Sequence, residues 1–73
     1  MKDFIELRRY STLEEAEIVK GFLESKGIEA YVEDRATHII PETIGDLAVF
    51  VLFVKKDDFD KANKLLEEKE KQD

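Results

Sequence analysis

The chain has 73 residues, a formal net charge of −6 and no cysteine, which fits one domain and excludes disulfides, thiolate metal sites and thiol nucleophiles. A domain this small buries only about 60% of its unfolded surface, so its stability rests on tight packing or on a partner surface. The acidic balance works against nucleic acid, whose phosphates require a basic footprint.

No apolar run approaches the roughly 20 residues that cross a bilayer, and the opening MKDFIELRR lacks the apolar core of a signal peptide. A cytoplasmic protein without a membrane partner is expected. Charged residues make up 41% of the chain, against one Asn and one Gln. Proteins from hot environments share that profile, and an acidic surface also serves solubility.

Phe4 to Tyr10 (FIELRRY) alternates as a strand, with Ile5 and Leu7 on one side and Phe4, Glu6 and Arg8 on the other. Ser11 with Glu14, or Thr12 with Glu15, then forms a capping box. The following helix places Leu13, Ala16, Val19, Phe22 and Leu23 on one side. Gly27 ends it, because glycine enters the left-handed conformation without steric cost. Ile28, Ala30 and Val32 alternate with Glu29, Tyr31 and Glu33 as a second strand. The segment 34–46 is loop-like. Leu47 to Val54 (LAVFVLFV) is apolar on both faces, as in a strand at the centre of a sheet. Asp57 or Asp58 caps a last helix whose Phe59, Ala62, Leu65 and Leu66 share a face, and residues 68–73 are expected to fray.

The order β-α-β-β-α, with a right-handed connection between the first two strands and the third inserted antiparallel between them, gives a ferredoxin-like split βαβ domain. Its class is α+β. The three-stranded sheet is ordered 2-3-1, and both helices cover one face. One domain spans 1–73, with its core over about 4–67.

STLEEAEIVKGFLESKGIEA, from Ser11 to Ala30, and the D-x-x-x-A-x-x-L-L-E pattern from Asp58 to Glu67 resemble a family described as putative prokaryotic signal-transducing proteins, grouped with the PII (GlnB-like) fold. The resemblance implies a βαββα core and a regulatory or protein-interaction role without catalysis. In PII proteins the segment between strands two and three touches partners, and here that segment is 34–46. PII proteins are longer and carry a fourth strand, and their nucleotide-holding elements have no counterpart here, so no cofactor is carried over.

The residues themselves offer little catalytic chemistry. His38 is the only histidine, and its neighbours Asp34, Glu42 and Asp46 do not follow a calcium-loop spacing. No metal site is expected. The serines and threonines lie outside any nucleophile-elbow pattern, and the three glycines are too dispersed to cradle a phosphate. Glu14, Glu15 and Glu17 occupy the first turns of a helix, where carboxylates favour the dipole and face water. No catalytic residue is assigned.

The sheet face away from the helices is more informative. Phe4, Tyr31, Val49, Val51 and Phe53 should point outward there, rimmed by Glu6, Arg8, Glu29 and Glu33. Exposed apolar patches of that size mark interfaces, so a homodimer is expected, through this face or by pairing edges of the first strand, or association with another protein. The loop adds contact groups for recognition: Arg35, His38, Ile39, Ile40, Pro41 and Glu42. Two other classes use the same face. A small-ligand sensor would line its floor with Tyr31, Phe53 and Arg8. An RNA-recognition module would need central-strand aromatics where Val49 and Val51 stand, together with basic flanks.

Overall fold

The computed structural model describes residues 3–35 and 49–71. Its elements are β1 (Phe4–Tyr10), α1 (Leu13–Ser25), β2 (Ala30–Asp34), β3 (Phe50–Lys55) and α2 (Phe59–Lys71), with a 3-10 turn over Lys56–Asp58. The fold is α+β with the expected order. β3 lies at the centre of a three-stranded sheet ordered β1-β3-β2, and both of its pairings are antiparallel. The apolar strand takes the centre, where its backbone is paired on both edges and neighbouring strands flank its side chains on both faces.

Local chemistry sets the joints. Thr12, not Ser11, is the N-cap of α1. Its Oγ1 accepts from the Glu15 backbone N–H at 3.2 Å and donates to the Glu15 carboxylate at 3.5 Å. At the other end Gly27 adopts φ 84°, its N–H donates to the Glu24 carbonyl, and the Ile28 N–H donates to the Leu23 carbonyl, each at 3.0 Å. This is a Schellman closure, with apolar residues at the two positions that such a closure brings together. Leu23 and Ile28 are both fully buried. The helix end thus aims β2 and adds to the core in one step.

The core cluster joins Leu7, Leu23, Ile28, Ala30, Leu52, Val54, Ala62 and Leu66, with Tyr10, Val19, Phe22, Val32, Phe59 and Leu65 packed around it. Leu13 is 49% exposed, although its spacing suggested the apolar side. At about 100° per residue it stands roughly 60–80° around the helix from Ala16 and Leu23, on the flank of the buried face. Ile18, 65% exposed, lies on the opposite side.

Two expectations about the last helix change. Asp57 and Asp58 fall within the 3-10 turn, which opens at Lys55 without a side-chain cap. The helix then continues to Lys71, past the Glu67 where ordered structure was expected to stop. An ion pair between the Arg8 Nε and the Glu70 carboxylate, 3.4 Å long, joins that last turn to β1. No helix among the described residues is long and apolar enough to cross a membrane.

Candidate functional site

The face opposite the helices follows from the register. Phe4 lies across from Lys55, Glu6 from Phe53 and Arg9 from Val51 on one side of β3, while Tyr31 pairs with Phe53 and Glu33 with Val51 on the other. Cross-strand partners share a face. Phe4, Tyr31, Val51 and Phe53 therefore lie together on the open side. Val49 continues the row, and its carbonyl accepts from the Arg35 N–H at 2.8 Å.

Between Glu6 and Arg8 the register of β1 shifts by one residue at Leu7. Such a bulge reverses which side each later residue faces. Arg8, expected on the open rim, instead sits on the helix side against Glu70, and Arg9 takes the open side. The ligand floor imagined from Tyr31, Phe53 and Arg8 is thereby divided between two faces.

The three aromatic rings form one chain of contacts. Phe4 meets Tyr31 edge-to-face at 5.9 Å, and Tyr31 stacks on Phe53 at 5.3 Å with 25° between the planes. Both geometries suit the ring quadrupoles. The Arg35 guanidinium lies 5.7 Å from the Phe53 ring centre while its Nε donates to Glu33 at 2.9 Å. Of the five residues expected to be exposed, Phe4, Tyr31, Val49 and Phe53 are half-buried, and Val51 is fully buried at 0%. The apolar patch is consequently narrower than the sequence pattern implied.

Among the described residues, charge on this face is balanced. Arg9 donates from Nε to Glu6 at 2.7 Å and from a terminal nitrogen at 3.2 Å, a forked geometry that suits carboxylates. The hydrogen bond from Arg9 holds the Glu6 carboxyl below its usual range, and the same bond holds the guanidinium more firmly protonated. Lys55 reaches Glu29 at 3.2 Å, and Arg35 pairs with Glu33. Three carboxylates thus face three cations, so a phosphate backbone laid across the sheet would meet repulsion and attraction in equal number.

Of the expected recognition loop, Asp34 and Arg35 are described, while His38, Ile39, Ile40, Pro41 and Glu42 lie outside the described residues. Arg9, Lys55 and the Arg35–Phe53 contact escaped the sequence reading. The first depends on the bulge, and the others depend on cross-strand register.

A family model described as putative prokaryotic signal transducing protein matches residues 4–70. The chain belongs to that family. No curated protein and no solved structure matches it. The match takes in all three strands, α1 and all of α2 but its last residue, and it reaches Glu70, the residue that ties α2 to β1.

Proposed function

We propose that this family member is a small non-catalytic regulatory domain that works by protein association, with a second copy of itself as the occupant of the open sheet face. The observation that carries the reading is the charge balance of that face. The whole chain carries −6, so most approaches of two copies are repulsive. The open face sets Glu6, Glu29 and Glu33 against Arg9, Arg35 and Lys55 around a contiguous aromatic trio. Two such faces can meet with each carboxylate offered a cation, and a two-fold axis allows that exchange to be mutual.

The bulge at Leu7 favours the face over the alternative of pairing β1 edges, because bulges disrupt the regular edge that strand addition needs. Three strands about 4.8 Å apart present less than the roughly 800 Å² per partner of a standard stable interface. The association expected is accordingly weak and reversible, as suits a signalling contact. The reading as non-catalytic is supported by the direction of the titrations. Glu6 and Arg9 are shifted toward their charged forms and Tyr10 toward its neutral form. None of these three groups has its pKa moved toward neutral pH, where a general acid or base operates.

Segment 34–46 belongs to the same proposal as the element that selects a partner, and at its start the Arg35 guanidinium lies 5.7 Å from the Phe53 ring centre. Sedimentation velocity between about 1 and 500 μM tests the association. Wild type should show concentration-dependent dimer, and Arg9→Glu, which gives the face a net negative charge, should stay monomeric. A wild-type chain that is monomeric throughout, or an Arg9→Glu variant that associates equally well, refutes the proposal.

A further inference from the structure

On the helix layer, the last turns of α1 and α2 border a second feature, remote from the open sheet face. Phe22 of α1 is half-buried against the core. Two ammonium groups converge on its ring, Lys26 Nζ at 5.7 Å and Lys69 Nζ at 5.2 Å from the ring centre. Lys26 is the C-cap of α1 and Lys69 lies in the last turn of α2. A helix C-terminus favours a cation, which accounts for each lysine taken singly.

It does not account for their convergence from two elements onto one ring. The chain has 18 carboxylate side chains against 12 lysines and arginines, so partners are plentiful. Arg8, Arg9, Arg35 and Lys55 each take one. Among the described residues, no ion pair involves Lys26 or Lys69. Phe22, Lys26, Leu65, Glu68 and Lys69 line an open cleft of about 270 Å³. That is slightly below the roughly 300–1,000 Å³ of sites for drug-sized ligands.

We propose that this cleft binds a small organic monoanion. Its aromatic or aliphatic body lies on Phe22 and Leu65, and its carboxylate sits between the ammonium groups of Lys26 and Lys69. Each part of the ligand answers a feature of the wall. The ring and the leucine offer apolar area, and the two lysines offer charge from separate helices. Glu68 lies on the same wall and leaves the lining with one net positive charge. One negative group between the two lysines neutralises that charge, whereas a second would have no free cation in the lining and would lie on the same wall as the Glu68 carboxylate. A monocarboxylate therefore fits better than a phosphate dianion.

Titration of the full chain with 1-naphthoate, followed by amide NMR, tests the assignment. Shifts should centre on Lys26, Gly27, Leu65 and Lys69, with a Kd of roughly 1 mM, the affinity expected for so small a ligand. Lys26→Gln and Lys69→Gln should each weaken binding about fivefold, the effect of one water-screened charge at about 4 Å. Glu68→Gln should tighten it by a similar factor. Neutral 1-naphthalenemethanol should bind more weakly than naphthoate. The amide spectrum also reports whether each variant is folded. The proposal is overturned by equal binding of the neutral analogue, by unchanged affinity in the double Lys→Gln variant, or by shifts confined to Tyr31 and Phe53.

Discussion

Truncating Phe53 to alanine removes the ring that the central strand gives the open face, and the structure sets the expected cost. The ring is partly buried, so about half of the 1.5–3 kcal/mol for a fully buried large side chain is at stake, roughly 1 kcal/mol. Its stacking on Tyr31 at 5.3 Å contributes about 0.5–1.5 kcal/mol more. The Arg35 guanidinium at 5.7 Å contributes about 0.5–1 kcal/mol. Neighbours in one cluster do not add fully, and about 2 kcal/mol is the expected loss for Phe53→Ala. At roughly 0.05–0.15 kcal/mol per residue, a domain of this length holds about 4–11 kcal/mol in all, so the loss is easily measured.

Urea unfolding followed by far-UV circular dichroism provides the assay. With a slope of about 1 kcal/mol per molar urea, the midpoint should fall by about 2 M. Arg35→Ala, which deletes only the cation–π contact and an exposed ion pair, should shift it by less than half as much. Repeating wild type at low and high protein concentration separates the face's own packing from association, since a dimer raises the midpoint with concentration. A fall of less than about 0.5 M for Phe53→Ala would mean that the ring is no better served by Tyr31 and Arg35 than by water, contrary to the packing described.

Gly27→Ala should cost about 1–2 kcal/mol in the same assay, from the left-handed backbone alone, because an added Cβ meets nothing within 4 Å. The pH dependence of the urea midpoint should show two limbs. Glu6 is depressed by Arg9, so its contribution is present above the ordinary carboxylate range and is lost as pH falls through the lower folded value. Glu6→Gln should flatten that acid limb slightly, the pair being largely exposed. Burial raises the Tyr10 phenol, so stability holds below the ordinary tyrosine value and falls as pH rises toward the folded one. Tyr10→Phe should abolish that alkaline loss.

Local patterns alone determined the order of elements and the joints between them. A capping box at Ser11 or Thr12, the glycine stop at Gly27 and the apolar run through Val54 each act within a few residues, and such short-range preferences are visible without any partner element. The sheet order also followed, since a strand apolar on both faces is best flanked by neighbouring strands on both edges, which only the central position provides. Tertiary structure decided what depends on register. One extra residue at Leu7 exchanged the sides of Arg8 and Arg9, sending the first to Glu70, 62 positions away, and the second to Glu6 on the open face. The same holds for Val51, which alternation marks as outward but which is fully buried. It holds also for Lys26 and Lys69, distant in sequence, whose meeting over Phe22 depends on where two helices end upon one sheet. Helix and strand periodicities specify which way a side chain points along its own element; what stands opposite it is set only when the elements pack.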